Sequence, residues 1–124
     1  MLAYATLGTK DLARAAAFYD EVLAELGAKR FMEEPDYFIA WGNSQEGAGL
    51  GITYPFDKNP ATVGNGAMVA LNAINREQVD RVYAKALALG GTDEGAPGQR
   101  SPGFYVGYFR DLDGNKLNCC YTGE

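Results

Sequence analysis

The chain has 124 residues, of which 47% are hydrophobic and 22% are charged, a composition typical of one globular domain and not of a disordered chain. Its formal net charge of −5, without a dense cluster of Lys and Arg, disfavours binding to nucleic acid or to an anionic membrane surface. The chain contains no histidine, which excludes a Ser-His-Asp triad, a Cys-His pair and any imidazole metal ligand.

Residues near both ends of the chain indicate in which cellular compartment the protein is found. Lys10 and Asp11 follow the first residues too soon for a signal peptide, and no apolar run approaches the ~20 residues of a membrane span. The only cysteines, Cys119 and Cys120, are adjacent, so in a strand they point to opposite faces and rarely bond to each other. We therefore expect a cytoplasmic protein without disulfides and without membrane contact.

The first half of the chain predicts one strand, one helix and three further strands. Residues 2–9 form an apolar segment compatible with a strand, and Asp11 is a good N-cap for a helix. Apolar residues at helical spacing continue through residues 12–26, and Gly27 ends the helix. Three short strands are then predicted, at residues 28–32, 37–42 and 49–54.

The second half repeats this order. A strand is predicted at residues 67–73, and Asn75 caps a helix with Gln78 three residues later, as in a capping box. Gly90 and Gly91 end that helix. Residues 90–103 contain five glycines and two prolines, which predicts a mobile loop. Two strands follow, at residues 105–110 and 116–121.

The two halves align with each other, which indicates an internal duplication. A shift of 64 residues places Tyr19 on Tyr83 and Gly27 on Gly91, and a shift of 67 fits the later strands. The order βαβββ, present twice, predicts an α+β fold of two modules with the helices on the outer side and a cup between the concave sheet faces. We expect a single domain over residues 1–124, with module 1 at about 1–55, a linker at about 56–65 and module 2 at about 66–124.

Three segments carry a family resemblance. They are Gly-Thr-Lys-Asp-Leu-Ala-Arg at 8–14 followed by Phe-Tyr-Asp at 18–20, Arg-Glu-Gln-Val-Asp at 76–80, and Tyr-Phe-Arg-Asp-Leu-Asp-Gly-Asn-Lys-Leu at 108–117. In this order they resemble the vicinal oxygen chelate superfamily, which includes glyoxalase I, bleomycin-resistance proteins and extradiol dioxygenases. The resemblance spans essentially the whole chain. It implies a cup-shaped mixed sheet and a homodimer, because many members build each site from two chains.

The resemblance also identifies four positions where metal-dependent members place ligands, on the first and last strands of each half. That family commonly has His or Gln on the first strands and Glu on the last ones. None of the residues here is a good ligand for a divalent cation. We therefore expect no metal and no cofactor, and the resemblance disfavours metal-dependent glyoxalase or dioxygenase activity. The four degenerate positions are Tyr4, Gly51, Met68 and Asn118.

Strand alternation predicts which side chains line the cup. If Arg110 pairs with Asn115 in the last hairpin, Tyr105 lies opposite Cys120 on the side that faces the cup. Arg100, on the predicted loop, is the cation able to hold a carboxylate or phosphate oxygen. No catalytic residue is assigned. The candidate ligand-binding residues are Tyr4, Phe38, Thr53, Met68, Arg100, Tyr105, Asn118 and Cys120.

Three functions remain compatible with the sequence. The favoured one is metal-free binding of a small molecule, similar to the antibiotic-sequestering branch of the superfamily, with an acidic chain suited to a cationic ligand. The second is a glyoxalase-like or lyase-type enzyme that uses no metal or has relocated its ligands, with Tyr4, Tyr105 and Asn118 available for proton transfer or oxyanion stabilisation. The third is a structural dimer that binds no ligand.

Overall fold

The structure, a computed structural model, describes residues 1–123 and contains two βαβββ modules in succession. The expected α+β fold is confirmed, with two mixed sheets and two helices. The first module consists of β1 (Tyr4–Gly8), α1 (Leu12–Ala24), β2 (Lys29–Glu34), β3 (Phe38–Gly42) and β4 (Gly49–Thr53). The second consists of β5 (Val69–Asn72), α2 (Arg76–Ala88), β6 (Thr92–Ser101), β7 (Phe104–Arg110) and β8 (Lys116–Thr122).

Each module folds into its own four-stranded sheet. Sheet A has the strand order β1-β4-β3-β2, and sheet B has the equivalent order β5-β8-β7-β6. The first strand of each module pairs in parallel with its last strand, and the remaining pairs are antiparallel. The duplication therefore extends to strand order and strand direction.

Both predicted helix caps are confirmed. The Asp11 carboxylate accepts a hydrogen bond from the Arg14 backbone N–H at 3.1 Å, and the Asn75 side chain accepts one from Gln78 at 2.8 Å. These bonds satisfy N–H groups that have no partner inside the first turn of a helix. Neither helix of the described chain, at 13 residues each, is long and apolar enough to cross a membrane.

The two modules share one hydrophobic core on the helix side of both sheets. Helices α1 and α2 contact each other, and the Gln78 side-chain amide donates to the Glu25 carbonyl across their junction at 2.9 Å. A second junction joins α1 to the turn between β7 and β8, where the Tyr19 hydroxyl donates to Asp111 at 2.6 Å. The largest fully buried side chains are Trp41, Tyr19, Phe109, Ile52 and Leu117.

The segment 90–103 differs from its sequence-based prediction. A mobile loop was expected there, but residues Thr92–Ser101 form the edge strand β6, paired to β7. The pairing is interrupted by three register shifts, and these bulges accommodate the glycines and Pro97. An edge strand tolerates both residue types, because one side of it makes no ladder hydrogen bonds.

Candidate functional site

Each sheet has an open face, turned away from the helices. On sheet A, Ile39, Trp41, Leu50 and Ile52 point into the core, so the alternate residues point to the open face. Of the candidate residues, Tyr4, Phe38 and Thr53 lie on the open face of sheet A. Met68, Asn118 and Cys120 lie on the open face of sheet B.

Aromatic rings cover three glycines of sheet A, on strands β3 and β4. Phe38 lies so close over Gly51 that a Cβ there would be 2.7 Å from two carbons of its ring. Tyr4 packs edge-on against Phe38, with ring centroids 6.5 Å apart, and remains 59% exposed. Phe31 lies over Gly42 and Gly49 in the same manner. The open face of sheet A is therefore an aromatic surface in which side-chain rings take the space above glycine backbone.

The open face of sheet B has a buried amide at its centre. Asn118 is 3% exposed and pairs with Ala70 on β5 and Tyr108 on β7. Its Nδ2 lies 3.7 Å from the sulfur of Met68, and its Oδ1 accepts no hydrogen bond from residues 1–123. Buried polar atoms are normally paired, so this oxygen is an exception in the fold.

A group of charged side chains surrounds Tyr108 next to that amide. The Arg100 guanidinium carbon lies 5.7 Å from the centre of the Tyr108 ring, and the Lys116 ammonium nitrogen lies 5.4 Å from it. Both distances are in the range of cation–π attraction. Glu94 forms ion pairs with Arg110 at 3.2 Å and with Lys116 at 3.8 Å. The sequence prediction included Arg100 but missed Tyr108.

Tyr105 lies on the other side of sheet B. Arg110 pairs with Lys116 and not with Asn115, so the predicted hairpin register was wrong by one residue. A shift of one residue exchanges the two faces of a strand, which turns Tyr105 toward α2 and Tyr108 toward the open face. The Tyr105 hydroxyl donates to Asp80 at 2.7 Å, and this bond raises the pKa of the phenol.

The four degenerate metal positions do not fit a divalent cation. Gly51 offers no side chain, and the Phe38 ring takes the space that a ligand there would need. Asn118 is held against Met68, which provides only a thioether, a soft donor suited to Cu(I). Within residues 1–123 no three His, Cys, Asp or Glu side chains are grouped to hold a metal ion.

Neither cysteine has the environment of a nucleophile. Cys119 is buried in the core, and burial raises the pKa of its thiol to about 12, with a smaller contribution from Cys120. Burial also raises the pKa of Cys120. Both cysteines are free thiols, as predicted from their adjacency. Raised pKa values keep them protonated near neutral pH, whereas reactive cysteines have lowered ones.

A groove of about 1470 Å³ runs between the open face of sheet A and the segment that joins the modules. Thr53 is the one candidate ligand-binding residue that lines it. The sequence analysis missed the rest of this lining, because it depends on how the connecting segment folds back beside β1. Other residues of the lining are Thr6, Lys10, Tyr37, Phe56 and Lys58.

Comparison with known proteins identifies a matching family model and similar solved structures. The family model of the Glyoxalase/Bleomycin resistance protein/Dioxygenase superfamily matches residues 1–119. A glyoxalase/bleomycin resistance protein from Albidiferax ferrireducens T118 is 33% identical, with 99% of each chain covered and a TM-score of 0.90. A comparison with curated proteins gave no match.

Two further solved structures share the architecture at lower identity. A hypothetical protein from S. aureus is 26% identical, with a TM-score of 0.73 over 98% of this chain and 91% of the other. A lactoylglutathione lyase from Agrobacterium tumefaciens is 22% identical, with a TM-score of 0.70 over 97% of this chain and 92% of the other. At that identity the lyase shows a common fold and not a common reaction.

Proposed function

Because the chain belongs to the glyoxalase/bleomycin resistance protein/dioxygenase superfamily, we propose that it binds a small organic molecule on the open faces of its sheets, without a divalent metal at the degenerate ligand positions. The observation that carries this proposal is the contact of Phe38 with Gly51. Glycine at position 51 provides no metal donor, and its missing side chain leaves the space that the Phe38 ring occupies. The apolar surface of that ring is suited to a hydrocarbon or aromatic body.

The lining of the open faces supports a small-molecule ligand. Pockets for such ligands are mostly apolar, with a few polar groups that fix orientation. Tyr4, Phe38 and the neighbouring groove supply the apolar surface, and Asn118, Arg100 and Thr53 supply polar groups. Tyr105, which points toward α2, is not part of the proposed site. Cys120 follows Asn118 by two residues on the same face of β8, and its raised pKa keeps the thiol protonated.

We further propose that the protein is a homodimer in a reducing compartment such as the cytoplasm. The hydrogen bonds and ion pairs that join the modules lie at the α1–α2 junction and at the β7–β8 turn, and leave Tyr4 59% and Met68 43% exposed. A second copy that covers these faces would complete an enclosed site from two chains. The two free cysteines support the reducing compartment.

The binding proposal is tested by screening a fragment library by NMR against isotope-labelled protein. We expect fragments to shift backbone signals on the open faces, with Ala40 and Ala70 as reporters on sheets A and B. The Phe38→Ala variant should bind aromatic fragments more weakly than the wild type. A library that shifts no open-face signal would contradict the proposal.

The metal part is tested separately by elemental mass spectrometry after incubation with Ni²⁺, Zn²⁺, Mn²⁺, Co²⁺ and Fe²⁺ and desalting. We expect far less than one ion per chain and no thermal shift, because Gly51 has no side chain, Met68 has only a soft thioether, and the phenol and amide at the other two positions are weak ligands for these cations. One tightly held ion per chain would show that the ligand positions are wrongly assigned. A glyoxalase assay would then be the next measurement.

A further inference from the structure

The group around Tyr108 and the buried amide of Asn118 form one continuous patch. Tyr108 and Asn118 are direct cross-strand partners, so their side chains are neighbours on the open face. Lys116 precedes Asn118 by two residues on β8 and therefore lies on the same face, about 7 Å away along the strand. Arg100 reaches the patch from the edge strand β6.

The patch is positively charged, although the chain carries a net charge of −5. Arg100, Arg110 and Lys116 contribute three cations, and Glu94 is the acid that pairs with two of them. Arg100 forms no salt bridge within residues 1–123, and its Nη2 donates to the Ala96 carbonyl at 2.7 Å. A guanidinium held in this way keeps further N–H groups available to an anion.

The buried amide of Asn118 is a second feature of the patch that points to a ligand, and it does not depend on the charge. Its Oδ1 is a buried acceptor without a donor, an arrangement that proteins generally avoid. The contact of its Nδ2 with the sulfur of Met68 places that side chain beside the amide, and Met68 is itself 43% exposed. A methionine side chain is flexible, so Met68 can change rotamer to make room for a ligand beside the amide.

We propose, on the basis of the proposed function, that the open face of sheet B selects organic anions that also carry a hydrogen-bond donor. Arg100 and Lys116 hold the carboxylate, and Asn118 Oδ1 accepts the hydrogen bond from an O–H or N–H group of the ligand. The spacing of Lys116 and Asn118 along β8 suits a ligand with the two groups at opposite ends of one ring. This charge preference is opposite to the cationic ligand expected from the net charge of the chain.

Three probes test separately whether the ligand needs a carboxylate and whether it needs a hydrogen-bond donor. 4-Hydroxybenzoate has the anion and the donor, 4-methoxybenzoate has the anion alone, and 4-hydroxybenzamide has the phenolic donor without the charge. We expect 4-hydroxybenzoate to bind with a Kd of roughly millimolar, measured by NMR titration. Each of the other probes should bind about fivefold more weakly, the effect of one net hydrogen bond or ion contact.

Two variants locate the effect on this face. Arg100→Ala should weaken 4-hydroxybenzoate about fivefold, and Arg76→Ala should not. Arg76 is a matched control, because it lies 5.0 Å from the ring of Tyr105 on the opposite side of the sheet. Asn118→Leu should remove the preference for the hydroxy over the methoxy probe. Because Asn118 is buried, folding of that variant is checked by circular dichroism, and Arg100→Ala tests the proposal independently of it.

The outcomes distinguish this inference from the proposed function. Equal binding of the hydroxy and methoxy probes would overturn the requirement for a donor. Equal binding of 4-hydroxybenzoate and 4-hydroxybenzamide, or equal effects of Arg100→Ala and Arg76→Ala, would overturn the preference for an anion. No binding of any probe would overturn both parts of the proposal. If neutral fragments still shift the open face of sheet A, small-molecule binding stands and only the preference for anions fails. If no fragment of any class binds, both proposals fail.

Discussion

The Tyr19 hydroxyl donates a hydrogen bond of 2.6 Å to Oδ2 of Asp111, and this bond joins the first helix to the last turn of the second module. Tyr19 is 1% exposed and its ring packs against Trp41 in sheet A. Asp111 is 5% exposed and also accepts hydrogen bonds from the backbone and side chain of Asn115. One phenol therefore connects the core of module 1 to the turn that starts β8.

Removal of this bond should destabilise the whole chain. We expect Tyr19→Phe to lower the free energy of unfolding by about 2 kcal/mol, because the lost bond is buried and has a charged acceptor. Urea denaturation measures the change. Tyr83→Phe is the matched control, since its phenol also donates to a carboxylate, Asp93, but at the surface. Its effect should be smaller, and equal losses for the two variants would contradict the importance of burial.

Alkaline pH should reduce the stabilisation that the hydrogen bond between Tyr19 and Asp111 provides. Burial, followed by the nearby Asp111 charge, raises the pKa of Tyr19 well above its usual value near 10. The unfolded chain then loses the phenolic proton at a lower pH than the folded one. The stabilisation by Tyr19 is complete below about pH 10 and falls as the pH rises further. The difference in stability between wild type and Tyr19→Phe should therefore shrink above pH 10, and a constant difference would contradict this assignment.

The contact of Phe38 with Gly51 predicts that replacing this glycine by alanine destabilises the protein more than the same replacement at a glycine with free space above it. Gly51→Ala should cost about 1–3 kcal/mol of stability, because the new methyl group overlaps the Phe38 ring. Gly47→Ala is the control, since a Cβ at Gly47 meets its nearest atom at an ordinary 3.7 Å. In a Phe38→Ala background, Gly51→Ala should cost much less. An equal cost in both backgrounds, measured by urea denaturation, would mean that the ring is not the obstacle.

Cys119 should react with alkylating agents far more slowly than a reactive cysteine does. With a pKa of about 12, Cys119 has a thiolate fraction on the order of 10⁻⁴ at pH 8. In the Cys120→Ser variant, iodoacetamide should leave the folded protein unmodified and label Cys119 once urea unfolds it, as mass spectrometry would show. Rapid labelling of the folded variant would contradict the burial of Cys119.

Local sequence signals predicted most of the fold but only part of the site. The caps Asp11 and Asn75 and the two helices depend on residues close together in the chain, and these predictions are confirmed. The contact between Phe38 and Gly51 joins two strands and has no local signal. The hairpin register was wrong because the turn after Arg110 closes through a bond from the Asp111 N–H to the Asn115 carbonyl, which leaves Lys116 as the partner of Arg110.

The irregular strands β2 and β6 each form one border of a sheet. β2 has a bulge between Arg30 and Met32, and β6 has three interruptions and contains Pro97. A regular, flat border offers a row of free backbone groups on which further chains can polymerise into aggregates, whereas bulges, charges and proline prevent such growth. The irregular backbone at these two borders therefore protects the protein against uncontrolled assembly through its sheet edges.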